Sequence, residues 1–183
     1  MHTIFALSLL LLSLQEPRPL STRPGLSPDL YGTQAPDFRA RAIDGKDYRL
    51  SSYRGRYVLL DFWAVACVPC RDAMPTLEAI HHEYKDRGLL ILGIDVGEER
   101  RTVETFLKKT PAPYPTLLDT SSDVAKLFHV NLFPTFILID PDGKVVDWKI
   151  GFLKAGTNSK ENIGESQLRG MLQKGVTRKD FAK

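Results

Sequence analysis

One run of ten residues constrains this chain more than any other: Asp61-Phe62-Trp63-Ala64-Val65-Ala66-Cys67-Val68-Pro69-Cys70. It holds the only two cysteines, three residues apart, directly after the apolar run 57–63 (YVLLDFW). Such a run reads as a strand buried on both faces. Residues three apart on a helix share a face, so a helix starting at Cys67 brings both sulfurs together at its N-terminus. A strand that delivers two thiols to a helix start has the geometry a reversible disulfide needs.

A length of 183 residues suffices for one domain with a substantial core. The formal charge of +3 arises from 25 basic and 22 acidic side chains spread along the chain. No basic run with interleaved aromatics occurs, so nucleic-acid binding has no support. Two cysteines are too few for a disulfide-stapled scaffold, and so short a loop removes little unfolded-state entropy. The pair is therefore explained by reactivity rather than by stability.

Residues 4–14 (IFALSLLLLSL) form an apolar stretch of 11. A bilayer span needs roughly 20 residues, whereas the apolar core of a secretory signal is about this short. Residues 1–15 are therefore expected to be a signal peptide or an N-terminal anchor. The protein is expected outside the cytoplasm, periplasmic or extracytoplasmic, where a disulfide persists. No cysteine follows the stretch to carry a lipid anchor. Residues 16–34 hold four of the 12 prolines, with no apolar period, and read as a flexible linker. The domain is expected over residues 35–174, followed by a charged tail over 175–183.

Within the domain, Asp44-Gly45 between two short extended runs signals a hairpin. The spacing predicts a helix over 67–86 with Met74, Leu77, Ile80 and Tyr84 on one face, and a kink at Pro75. Residues 89–96 (LLILGIDV) read as a second buried strand, and 101–109 as an amphipathic helix. A proline-rich connection over 110–115 leads to a short helix over 122–128. Residues 135–139 and 144–150 are strands joined by the turn Asp140-Pro141-Asp142-Gly143, and a last helix covers 163–174. Alternating strands and helices indicate an α/β fold, and the final hairpin makes the sheet mixed.

A thiolate, not a thiol, is the nucleophile, and a helix N-terminus lowers a cysteine pKa from about 8.5 to roughly 3.5–7.5. Cys67, at that end, is the expected attacking thiol. Cys70, one turn further in, is expected to be more buried and to resolve the mixed disulfide. Pro69 suits the first turn, where a missing N–H costs nothing. Asp61 lies inside an apolar strand; it is either a proton acceptor for Cys70 with a raised pKa, or an ordinary edge-facing or hydrogen-bonded residue. Phe133-Pro134-Thr135 opens a strand, where a proline is either a plain loop residue or a cis-proline presenting backbone to a ligand.

The assembled set resembles the thioredoxin superfamily, and most of all its TlpA/ResA-like exported thiol–disulfide oxidoreductases with an AhpC/TSA-like redoxin domain. The motifs are Ala35-Pro36-Asp37-Phe38, Asp44-Gly45-Lys46, Asp61-Phe62-Trp63-Ala64, Cys67-Val68-Pro69-Cys70, Pro75, Phe133-Pro134-Thr135, Asp140-Pro141-Asp142-Gly143-Lys144 and Gly151. The resemblance covers residues 35–174. It implies a three-layer sandwich, a central mixed sheet flanked by helices, with an N-terminal β-hairpin extension. It implies Cys67 as nucleophile, Cys70 as resolving cysteine, Asp61 as buried acid and Pro134 as a cis-proline facing the pair. Trp63, Pro69, Phe133 and Pro134 would contact substrate. By the same resemblance the protein acts on protein thiols and disulfides as a monomer, without metal or organic cofactor. It would serve as a reductant supplied by a membrane-embedded or thioredoxin-like electron donor.

Two departures stand out. Val65-Ala66 occupies positions where the family usually has Thr-Trp, which leaves a more open surface beside Cys67. Ala73 stands where some cytochrome-maturation members carry Glu, which weakens a specific role in cytochrome c biogenesis. Two rivals come from other classes. A peroxiredoxin-like peroxidase needs Pro and Thr or Ser seven and three residues before its cysteine; Leu60 and Ala64 stand there. A metal-binding or metallochaperone module needs two ligands beyond the CxxC pair. His2, His81, His82 and His129 offer no paired spacing with the cysteines, and His81-His82 read as a solvated helix face. An idle structural disulfide is the remaining alternative.

Overall fold

The computed structural model describes residues 30–154 and 163–175. The expected signal or anchor, residues 16–29 of the expected linker and residues 176–183 lie outside the described residues. Packing begins at Leu30, five residues ahead of Ala35: Leu30 is buried, and Tyr31 and Gln34 bridge to Val145 and Lys144. The last five residues of the expected linker are therefore folded onto the domain.

Two strands, β1 (Arg39–Arg41) and β2 (Asp47–Arg49), form the antiparallel hairpin around Asp44-Gly45. A 3-10 turn, Leu50–Tyr53, leads into β3 (Tyr57–Trp63), every residue of which is buried. Helix α1 (Val68–Tyr84) continues through Pro75 and is followed by β4 (Leu89–Val96) and α2 (Arg100–Leu107). Next come β5 (Thr116–Asp119), the short α3 (Asp123–Leu127), β6 (Thr135–Ile139), β7 (Val145–Ile150) and α4 (Ile163–Gly175). The main sheet has the order β5-β4-β3-β6-β7. β3, β4 and β5 run parallel, whereas β6 opposes β3 and β7 opposes β6.

Period-two alternation in β3 splits its side chains between two cores. Val58, Leu60 and Phe62 pack with the hairpin and with Val124, Ala125 and Phe128 around α3. Tyr57 and Leu59 face the other way, onto Ala73, Leu77 and Ile80 of α1 and Leu168, Met171 and Leu172 of α4. Helices thus flank both faces of a mixed sheet, which is the expected fold. Arg169 ties α4 to α1 through Glu83 at 2.6 Å.

β5 was not expected from the sequence. Four residues after a proline-rich connection carry too little periodicity to mark a strand; pairing with β4 and the bridge from Ala42 to Leu117 create it. His81 also departs from expectation. His82 is exposed, but His81 is half-buried with its ring 6.1 Å from that of Tyr114. Burial lowers its pKa, and its Nδ1 has no hydrogen-bond partner among the described residues.

Candidate active site

The carboxyl ends of β3 and β4 carry the site. β3 ends at Trp63, and four residues later Cys67 caps α1. The turn closes by a bond from the Cys67 N–H to the Ala64 carbonyl at 3.1 Å. Pro69 falls in the first helical turn, where its missing N–H leaves no bond unmade. Cys67 and Cys70 are joined as a disulfide. The Cys70 N–H donates to Cys67 Sγ at 3.2 Å, so an unpaired helix-start donor is aimed at this sulfur. That donor would stabilise a thiolate once the bond is reduced. Cys67 is partly exposed, whereas Cys70 is only 2% exposed.

Asp61 lies on the sheet face of Tyr57, Leu59 and Trp63, the face that α1 covers. Its burial pushes its pKa up to about 8. This places a carboxyl that accepts or releases protons near neutral pH under the helix that carries Cys70. Across the sheet from it, in register, is Gly93. A Cβ there would meet Tyr114 at 3.3 Å and Trp63 Nε1 at 3.4 Å, so the missing side chain makes room for both rings beside Asp61. Tyr114 is itself buried, and burial together with the Asp61 charge raises its pKa.

The peptide bond between Phe133 and Pro134 is cis. The loop is held by the Gly151 N–H to the Pro134 carbonyl at 2.8 Å and by Thr135 Oγ1 to the Leu132 carbonyl at 2.7 Å. Phe133 packs against the cluster of Trp63, Cys70, Met74 and Val103, as Cys67 does, which brings this loop to the cysteines. Trp63 does not face outward as the substrate-contact expectation requires. It is 2% exposed, and its ring packs 5.5 Å from that of Phe106. Its large apolar surface serves as the floor beneath the disulfide. Pro134 is also buried, so Phe133 and Pro69 are the partly open members of that expected set.

Apolar surface around the pair comes instead from Val68 and Leu132, exposed by 55% and 54%. Ala66 is exposed and Val65 half-buried, which gives the open surface expected from the missing aromatic. A cleft of about 510 Å³ runs beside this segment, between Val65 and the α2 residues Arg101, Thr102, Thr105 and Phe106. Sequence reasoning also missed Glu98, whose Oε2 accepts the Val65 N–H at 2.8 Å. An acid 33 positions away carries no local signal of such a contact. Ala73 is buried, and Asp72 pairs with Lys154 at 3.5 Å. Leu60 and Ala64, at the peroxidase signature positions, bring no hydroxyl to Cys67. Among the described residues, no three His, Cys, Asp or Glu side chains group as metal ligands.

Known proteins agree with this geometry. The AhpC/TSA family matches residues 31–148. The thiol-disulfide oxidoreductase ResA of Geobacillus kaustophilus is 36% identical over 132 residues, covering 72% of this chain and 73% of the relative. ResA of Bacillus subtilis is 36% identical over 115 residues, 63% of this chain and 64% of the relative. Among solved structures, a candidate thiol:disulfide interchange protein DsbE from Chlorobium tepidum superposes with a TM-score of 0.71 at 28% identity. That match covers 79% of this chain and 96% of the other. With a disulfide-bonded CxxC pair set at the start of α1 in a thioredoxin-like fold, the chain belongs to the AhpC/TSA family and is a thiol–disulfide oxidoreductase.

Proposed function

We propose that Cys67 attacks, Cys70 resolves and Asp61 moves the proton, in exchange with protein thiols outside the cytoplasm. One observation carries this reading: a partly exposed sulfur and a buried one share the start of α1, with a buried acid on the strand beneath. The Cys67 thiolate attacks a substrate disulfide, a mixed disulfide forms, and one substrate thiolate leaves. Asp61 takes the Cys70 proton, the Cys70 sulfur attacks Cys67 Sγ, and the second substrate thiol leaves. Two electrons pass to the substrate, and the Cys67–Cys70 disulfide seen here is the product. Phe133 and Pro69, with Val68 and Leu132, present the surface a substrate polypeptide meets.

The reductant direction, an electron donor that is membrane-embedded or thioredoxin-like, and a monomeric state follow from the resemblance to ResA-like oxidoreductases. The exported location is supported by the apolar residues 4–14. Among the described residues no helix is long and apolar enough to cross a membrane. Direction is tested by the equilibrium potential of the pair against glutathione. CxxC proteins span about −270 to −120 mV, so a value near the low end marks a reductant and one near the high end an oxidant. Cys70→Ser should accumulate mixed disulfides with substrate. Persistence of exchange in Cys67→Ser would refute the mechanism.

A further inference from the structure

Two acids at the end of β4 take no part in the exchange steps above. Asp95 is opposite Trp63 in register, so it shares the sheet face of Trp63 and Asp61. Its exposure is 0%, and neither carboxyl oxygen has a donor among the described residues. Its carboxyl meets that of another acid, Glu98, in a side-chain hydrogen bond. Burial first, and then Glu98 and Asp119, push the Asp95 pKa up to about 8.

Among the described residues no cation acts on the Asp95 carboxyl. From the end of β5 comes Asp119, whose carboxylate is occupied by the Val124 and Ala125 N–H groups at 3.1 and 2.8 Å. From α2, the Arg100 guanidinium is engaged with the Ala42 and Ile43 carbonyls and with Glu104. The cluster at this end of the sheet is otherwise Trp63, Cys70, Met74 and Val103, with Asp61 the remaining acid on that face. A buried carboxyl with no donor keeps its proton, and that proton can be donated to a neighbouring carboxylate. Glu98 has a second contact, the Val65 N–H at 2.8 Å. Val65 stands two residues before Cys67, in the turn that sets the start of α1.

We propose that protonated Asp95 donates to the Glu98 carboxylate and that the two form a positioning pair. Asp95 holds Glu98, and Glu98 holds the Val65 N–H, so the turn that presents Cys67 is fixed only while the proton is present. The pair rests on the exchange reading for its consequence at Cys67, not for its existence. At alkaline pH the proton leaves, the carboxylates repel, and the Val65 bond weakens. The start of α1 then loosens, independently of the titration of Cys67 itself.

The test reads the oxidised protein, where the cysteines do not titrate. Carboxyl carbon chemical shifts and Val65 amide hydrogen exchange are followed against pH, in an Asp61→Asn background that removes the other buried acid on this sheet face. Asp95 should titrate at alkaline pH. Val65 exchange should rise about tenfold beyond its ordinary base catalysis across that step, the worth of one such bond. Asp95→Asn supplies a permanent donor, so Val65 should stay protected and the step vanish. Asp95→Leu should lower protection about tenfold at every pH. Should that variant not fold, Glu98→Gln, which still accepts the Val65 N–H, should keep protection and lose the step. Asp95 titrating in the ordinary carboxylate range, or an alkaline step at Val65 unchanged in Asp95→Asn, would overturn the pair. That result would leave disulfide exchange by Cys67 untouched, and loss of exchange would leave the amide result standing.

Discussion

The hairpin β1–β2 and the β3–β4 end of the sheet use the same residue, aspartate, in opposite ways. In the hairpin region Asp37 is partly desolvated, but the Ser51 N–H, Arg49 and the Ser51 hydroxyl outweigh that and hold its pKa below the usual value. Asp44 accepts the Lys46 N–H and is likewise held down. At the site, Asp61 and Asp95 are buried without a cation and are pushed up to about 8. Protonation therefore has opposite signs in the two regions. Paired, wet carboxylates give a little stability; buried ones take stability away and give chemistry in return.

The largest difference is expected in activity. Cys67→Ser should abolish exchange with a model disulfide, whereas Asp37→Ala should leave the rate unchanged, as measured by stopped-flow thiol release. Loss of exchange in both would merge the two regions and break the contrast.

Next is Asp61→Asn. The folded pKa of about 8 lies above the ordinary 3.8, so the wild-type fold loses stability as pH rises between those values. At about 1.36 kcal/mol per pH unit, the neutral variant should gain up to about 4 kcal/mol at pH 7 and little at acid pH. Urea midpoints at the two pH values check this. The same variant should clear the mixed disulfide about a hundredfold more slowly, the lower end of general-base effects. A gain independent of pH would show that Asp61 is not buried as a neutral acid.

Packing supplies a middle-sized effect. Gly93→Ala presses on Tyr114 and Trp63 and should cost about 1–3 kcal/mol, as overpacking does, with Trp63 fluorescence shifted. No change in either would mean that the space beside Asp61 is slack.

Smallest is Asp37→Ala, at under about 1 kcal/mol and less in high salt, as for exposed pairs. Its sign with pH sharpens the contrast. Asp37 has a folded pKa below its unfolded one, so its contribution is present at neutral pH and fades only as pH falls through the lower value. Acid should thus loosen the hairpin while it tightens the site, a crossing visible in amide exchange of the two regions.

Much of the fold was legible because its signals are local. The unbroken apolar runs of β3 and β4, the Asp44-Gly45 hairpin and the turn at residues 140–143 were all read from adjacent residues. The cysteine spacing announced its own chemistry, and the oddness of Asp61 in an apolar strand marked it out while leaving its burial open. What escaped depends on distant pairing. β5 exists because β4 offers an edge, and His81 is covered because Tyr114 arrives from the connection before β5. Trp63 was expected to flank the site and contact substrate, but Phe106 of α2 packs against its ring.

By itself, then, the sequence determined an α/β domain with two thiols at a helix start, because strand burial and helix spacing are properties of neighbouring residues. The tertiary structure decided which acids meet those thiols. Glu98 reaches the Val65 N–H, and Asp95 is sealed beside it, because parallel strands bring residues 33 positions apart to one end of the sheet. Desolvation there belongs to the assembled layers, and no single segment encodes it.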